Sequence, residues 1–406
     1  MLKTSTLVNE TLLGINDEFV NIPAVSIRNL SKKFAGQTVL CDVSFDIVAG
    51  ERLVLLGQSG SGKTTIVRCL AGLEQPDSGE IYLGAKCATH LPIQKRNLGI
   101  VFQERDLFQR MTVEENIAFG LKLRGVAKRQ IQETVDEMLE LIRLQGYRTK
   151  YPSQLSGGQR QRVAVARALA YKPEVMLFDE AFNALDAVTR VAVRREVRLL
   201  LQKMNVPALF ITHDQEEALE LGDRIAVLNK GRIEQIGTPY ELYNYPQSEF
   251  VAAFLGAANV LMGRWYNNEV VIDALRLKPP QQSLEFAQQS LEFNQHQPIK
   301  IIFRPEDVVL DFQPQLLDVP YYLGRGIVKD LSYIGPYERL VIQLMTWMPQ
   351  PDGLGNKKRL TVVEDGSLKE STITVTRTKW RAGEMELSVG DQVAVGLKHY
   401  RLLSVK

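Results

Sequence analysis

The chain has 406 residues, 45% hydrophobic and 24% charged, which excludes a disordered polypeptide and leaves room for two or three domains. A formal net charge of +2 gives no ground for binding nucleic acid or an anionic membrane. Three cysteines, Cys41, Cys69 and Cys87, lack metal-ligand spacing and read as reduced cytosolic thiols; no apolar run nears the roughly 20 residues of a spanning helix, and Met1–Thr6 lacks a secretory apolar core.

Residues 1–23 carry no clear pattern and are expected to be an extension. From Ala24 the apolar positions Val25, Ile27, Val39, Leu40, Val43, Phe45 and Ile47 predict strands around a turn at Ala35-Gly36-Gln37. Phe34 sits at that turn; it is either an adenine-stacking aromatic or an ordinary turn or core residue. Leu53-Val54-Leu55-Leu56 predicts a buried strand. It runs into Gly57-Gln58-Ser59-Gly60-Ser61-Gly62-Lys63-Thr64 and then the helix-like Thr65–Leu70, the strand–loop–helix context of a phosphate loop. The glycines let successive backbone N–H groups turn towards phosphate oxygens, and the helix start adds unsatisfied N–H groups. Lys63 brings a point charge and Thr64 a hydroxyl suited to Mg²⁺.

Pro76-Asp77-Ser78-Gly79 predicts a turn, and residues 81–83 and 98–102 further strands, the second followed by Gln103. Ile131, Val135, Met138, Leu139 and Ile142 predict a core-facing helix stripe within residues 128–145. Leu155-Ser156-Gly157-Gly158-Gln159 opens onto an Ala- and Arg-rich helix to Ala170; alone, such a start is either a second anion site or a plain N-cap. Val175–Phe178 predicts a buried parallel strand ending in Asp179-Glu180. Beside a phosphate loop, Asp179 suits Mg²⁺ and Glu180 suits the attacking water. Ala208–Thr212 predicts another buried strand, followed by His213. Residues 225–236 predict a hairpin, Pro239 and Pro246 the exit from this domain, and residues 250–255 a helix stopped by Gly256. From about residue 259, short strands at 270–272, 299–303, 327–328, 340–342, 373–375 and 393–395 predict a small all-β barrel. The duplication 281–286/288–293 and residues 348–353 read as polar insertion loops.

Residues 24–240 resemble the ATP-binding-cassette ATPases, with every motif in order: Walker A at 57–64, the Q-loop glutamine Gln103, the signature 155–159, Walker B at 175–179, the carboxylate Glu180, the inter-subunit loop Asn183–Asp186 and the switch histidine His213. The resemblance implies an α/β P-loop NTPase cassette with a helical subdomain. It implies ATP binding by Phe34 and by Gly57, Gln58, Ser59, Gly60, Ser61, Gly62, Lys63, Thr64 and Thr65, and Mg²⁺ binding by Thr64, Gln103 and Asp179. It implies catalysis by Glu180, His213 and Gln103. Ser156, Gly157, Gly158 and Gln159 would face the ATP of a partner cassette, expected to be a second copy. Two departures stand out. Ala181 replaces the family's usual proline and is expected to loosen the backbone that aims Glu180; Asn183 replaces the usual serine or glycine and is expected to alter the dimer contact.

After a linker helix at 241–258, residues 259–406 resemble the regulatory OB-like (TOBE-type) domain of bacterial importer ATPases, through Gly237-Thr238-Pro239, Phe254-Leu255-Gly256 and Phe303-Arg304-Pro305-Glu306-Asp307. The resemblance implies an ATPase peripheral to the cytoplasmic face of the plasma membrane, working with transmembrane permease subunits and a periplasmic or extracellular solute-binding protein, and no nucleic acid. The ending Gly390–Val395 points to the sulfate/thiosulfate group, with iron(III), polyamine or sugar import as alternatives. A soluble cassette protein acting on ribosomes or DNA is the rival class. It is disfavoured by the single cassette and by the short separation of Lys63 from Asp179.

Overall fold

The computed structural model describes residues 22–102, 107–272, 275–279, 293–345, 362–364, 367–369, 371–378, 380, 383 and 385–405. The chain divides into two compact units. The first comprises the described residues of Met1–His213 with Glu220–Arg224 and Leu228–Ile233; the second comprises Asp214–Leu219, Ile225–Val227 and the described residues of Glu234–Lys406.

The strands β1 (Val25–Phe34), β2 (Gln37–Ile47), β4 (Ser78–Leu83) and β5 (Lys86–Cys87) form an antiparallel sheet in the order β2-β1-β4-β5. A second, six-stranded sheet has the order β10-β9-β3-β8-β7-β6. Its members are β3 (Arg52–Gly57), β6 (Leu98–Val101), β7 (Val175–Asp179), β8 (Ala208–Thr212), β9 (Arg224–Asn229) and β10 (Arg232–Gly237). The segment β3-β8-β7-β6 is parallel, with Leu55 opposite Ile211, Phe178 opposite Phe210 and Ile100 opposite Leu177. Every residue of β3 and β8 is buried. Covered on both faces, these strands are continuous apolar runs with no alternation. Phe178 stacks on Phe210 at 4.4 Å, and Phe182 joins them just beyond the end of β7.

Helix α1 (Lys63–Ala71) follows β3 directly. Helices α2 (Val113–Leu123), α3 (Lys128–Leu141) and α4 (Gly157–Leu169) come between β6 and β7, and α2 packs on both α3 and α4. The stripe expected through residue 145 stops sooner: α3 ends at Leu141, and Arg143 turns into the left-handed region at φ 55°. Helix α5 (Ala187–Met204) is capped by Asp186, whose carboxylate accepts from Thr189 N at 3.0 Å.

In the second unit, α6 (Gln215–Leu221) begins within it, and α7 (Pro239–Asn244) and α8 (Glu249–Phe254) precede the β-rich part. Thr238 and Glu241 form a capping box on α7, with Pro239 at its first position, where the missing N–H costs nothing. One sheet has the order β13-β12-β11-β14-β22, from β11 (Asn259–Tyr266), β12 (Glu269–Ile272), β13 (Leu275–Leu277), β14 (Pro298–Phe303) and β22 (Arg401–Ser404). Another has the order β15-β21-β16-β17-β20, from β15 (Val308–Asp311), β16 (Tyr321–Ile334), β17 (Tyr337–Met345), β20 (Thr372–Thr378) and β21 (Gln392–Leu397). A ribbon of β18 (Val362–Glu364) and β19 (Ser367–Lys369) completes the strands. The two large sheets share one core, including Leu261, Ile299 and Ile301 from the first and Val328, Leu340 and Val395 from the second.

The Phe303–Asp307 run has a clear structural task. Buried Arg304 donates to Ala252 O at 2.7 Å and to Tyr243 O at 3.1 Å, and its guanidinium lies 4.0 Å from the Tyr243 ring centre. Tyr243 in turn donates to Glu306. One residue thereby ties α7 and α8 to the end of β14. Residues 1–21 of the extension expected over 1–23, Gln103, the duplication but for Phe293, and the whole of 348–353 lie outside the described residues.

Candidate nucleotide site

The parallel register brings the carboxyl ends of β3, β8, β7 and β6 to one edge, where open α/β sheets bind ligands. At the end of β3, the loop from Gly57 needs its glycines for contact and conformation. A Cβ on Gly57 would lie 2.4 Å from Leu228 O, and one on Gly62 would lie 2.6 Å from Leu40 Cδ2. Gly62 also has φ 106°, and Gly60 φ 79° with open space around it. Gln58, Ser59 and Gly60 are exposed, while Ser61, Gly62 and Lys63 are buried. Thr64 and Thr65 occupy the first turn of α1.

Two features of this loop fit a bound polyphosphate. The N-terminus of α1 has no side-chain cap, so its first N–H groups are unused by the helix. The Ser61 hydroxyl is buried and has no hydrogen-bond partner among the described residues. Lys63 Nζ folds back on the loop, donating to Gly57 O at 2.7 Å and Gln58 O at 2.9 Å. Burial lowers its pKa from 10.5, and Glu180 and Asp179 oppose that shift, so the lysine and both carboxylates share one field.

Asp179 ends β7. Burial and the adjacent Glu180 charge push its carboxyl above the ordinary 3.8, against the pull of Arg68 and Lys63. A raised folded-state pKa favours the fold fully below the unfolded value, and that gain is lost as pH rises through the higher folded value. At neutral pH, therefore, the ionised Asp179 burdens the ligand-free chain. Asp179→Asn is expected to raise the melting temperature by a few degrees at pH 7–8 without nucleotide, with the gain vanishing near pH 3.8 and below. Thermal denaturation across that pH range checks both statements.

Glu180 sits in the left-handed region, φ 48°, with its N–H bonded to Ile211 O at 3.1 Å on the neighbouring strand. His213, just beyond β8, places Nδ1 3.3 Å from Glu180 Oε1. The structure thus brings Lys63, Asp179, Glu180 and His213 together. Phe34 ends β1, 43% exposed, with Lys32 Nζ over its ring 5.1 Å from the centre.

The signature residues have local structural roles in the single chain. Ser156 caps α4, its hydroxyl accepting from Gln159 N at 3.3 Å while Gln159 Oε1 accepts from Ser156 N at 2.9 Å. A Cβ on Gly158 would lie 2.8 Å from Thr189 Cγ2, so this glycine permits close packing of α4 on α5. Gly157 adds the other small position, with Leu185 beside it.

Two contacts near the site were not foreseen from the sequence. Asn183, expected to act at a subunit interface, donates from Nδ2 to Glu180 Oε2 at 2.8 Å. Asn116 of α2, fully buried, donates to the carbonyls of Phe108, Met111 and Thr112 and accepts from Phe108 N, pinning the segment that follows Gln103. Its only sequence signal was a polar residue on an otherwise apolar helix face.

A phosphate loop and paired carboxylates at the carboxyl edge of a parallel sheet define a P-loop nucleoside triphosphatase. The ABC transporter family profile matches residues 40–183. The sulfate/thiosulfate import ATP-binding protein CysA of Thermosynechococcus vestitus is 52% identical over 240 residues, 59% of this chain and 71% of that one. The CysA of Xanthomonas campestris is 46% identical over 291 residues (71% and 82%), and that of Nitrosomonas europaea 40% over 377 residues (91% and 94%). The solved structure of cbiO1 from Clostridium perfringens, part of the ABC transporter complex cbiONQ, is similar with a TM-score of 0.52 and 27% identity, over 54% of this chain and 90% of that one. The chain belongs to the ATP-binding proteins of ABC transporters, of the importer type. It is an ATP-hydrolysing subunit that energises import through a separate permease. Among the described residues no helix is long and apolar enough to cross a membrane.

Proposed function

We propose that this chain powers the uptake of sulfate or thiosulfate, as a peripheral ATPase on the cytoplasmic face of the plasma membrane. Support for the solute comes from the named relatives, above all the 40% identity that spans 94% of the Nitrosomonas europaea protein. The test is to purify the chain with its permease, reconstitute it in liposomes, and compare ATP hydrolysis with sulfate-, thiosulfate-, iron(III)-, polyamine- and sugar-loaded binding proteins. Stimulation by sulfate or thiosulfate alone is expected; stimulation only by another solute contradicts the assignment.

The observation that carries the chemistry is the contact of Glu180 with His213 just past the ends of neighbouring parallel strands, beside Lys63 and Asp179. In this reading Lys63 and the loop N–H groups hold the phosphates, Glu180 aligns and deprotonates the attacking water, and His213 senses the γ-phosphate. Thr64 and Asp179, with Gln103, would hold Mg²⁺, which neutralises phosphate charge when bound. Ser156–Gln159 serve the ATP of a second copy, so each nucleotide is completed by two chains. We assign the cassette to residues 24–240, the linker to 241–258 and a TOBE-type regulatory domain to 259–406.

A cavity of about 1140 Å³ in the second unit favours a sensor role for that domain. Arg276, Lys278, Lys398 and Arg401 line it with Asp307, leaving an excess of positive charge suited to a small anion. In the same liposomes, sulfate added on the ATPase side should slow hydrolysis; an unchanged rate at saturating anion contradicts the sensor.

A further inference from the structure

Glu180 is the last residue that the sheet itself positions, through its N–H bond to Ile211 O. Its carboxylate lies beyond, on three rotatable bonds, with the side chain 24% exposed at the edge of the site. A flexible carboxylate of this kind needs neighbours to hold one orientation. His213 provides one contact, on Oε1. The other oxygen, Oε2, receives the Asn183 amide at 2.8 Å.

Asn183 is itself held firmly. Its N–H closes a turn onto Glu180 O at 3.3 Å. Buried Phe182, one residue earlier, anchors the turn in the Phe178–Phe210 stack. From α5, Arg190 Nη2 reaches Asn183 O at 3.4 Å and Leu185 O at 2.8 Å. Asp186 caps α5 immediately after the loop. The short Asn side chain therefore has a fixed base, and from it an N–H that can reach Oε2.

We propose that Asn183 is a positioning residue for ATP hydrolysis, latching Glu180 Oε2 so that Oε1, beside His213, faces the water. This rests on the role given to Glu180 in the preceding subsection. The loop that was expected only to touch a partner subunit thus also aims the base within its own chain.

The test is a double-mutant cycle in the full chain, in native and Glu180→Ala backgrounds, with thermal denaturation confirming that each variant folds. Asn183→Ala should lower kcat about tenfold, the loss expected for one charge-assisted hydrogen bond, with KM for ATP unchanged. Asn183→Asp keeps the shape but faces one carboxylate with another, and should lower kcat at least as far. In the Glu180→Ala background, Asn183→Ala should lower the residual single-turnover rate no further. Native kcat in both Asn183 variants overturns the latch, as does an equal further loss in the Glu180→Ala background, which would place the effect at the subunit contact. A Glu180→Ala chain hydrolysing ATP at the native rate would instead overturn the role of Glu180 itself.

Discussion

Glu180→Gln is expected to slow ATP turnover by about a hundred- to ten-thousand-fold while leaving ATP affinity within a few-fold of native. Glutamine has the same shape as glutamate, and its backbone can keep the bond to Ile211 O and the left-handed φ of 48°. The charge is lost, and with it the capacity to take a proton from water. Nothing in the phosphate loop changes: Lys63 stays folded over Gly57 and Gln58, and the start of α1 stays uncapped. Binding and chemistry should therefore separate cleanly. Equilibrium titration with a fluorescent ATP analogue and a steady-state phosphate assay read the two parts. Hydrolysis near the native rate would refute the role assigned to Glu180.

Lys63→Ala is expected to impair binding and turnover together. Lys63 is the buried cation facing Asp179 and Glu180. Without it, two carboxylates face the incoming triphosphate with less opposing charge, and the loop carbonyls of Gly57 and Gln58 lose their donor. Hydrolysis should fall by about 10²–10³-fold, as when a preorganised donor to a developing anion is removed. Here ATP affinity should fall as well, because the lysine acts on ground-state and transition-state phosphate alike. The same titration distinguishes the variants: tight binding without turnover for Glu180→Gln, weak binding for Lys63→Ala. Native affinity in Lys63→Ala would place the phosphates elsewhere.

The phosphate loop was legible in the sequence because its requirements are local. Gly60 and Gly62 answer a positive φ, and Gly57 a close approach to Ser61 four residues on, although Gly57 and Gly62 also meet Leu228 and Leu40 from distant strands. The buried strands were legible because burial on both faces leaves an unbroken apolar run. The linker helix expected over 241–258 is two short helices, α7 and α8, with a break between them; the Thr238–Glu241 capping box, readable in the sequence, starts the first at Pro239. Pairings that close the β-rich unit were not legible: β14 pairs with β22 about a hundred residues away, and no local pattern encodes such a register. The Asn183–Glu180 bond was hidden for a related reason. The family resemblance placed Asn183 at a subunit contact; only the left-handed Glu180 and the turn it starts bring the amide back to the carboxylate. Ser156 shows the reverse case, since its capping box satisfies it locally and leaves its action on a second nucleotide to be tested in the assembled pair.

Completion of each nucleotide site by two chains is tested most directly by the mass of the Glu180→Gln protein in solution. Light scattering with saturating MgATP should give a particle of two 45.8 kDa chains holding two ATP, and a single chain when nucleotide is removed. A single chain that remains monomeric with ATP bound, in a protein whose native form hydrolyses ATP at a specific rate independent of its own concentration, would contradict the account.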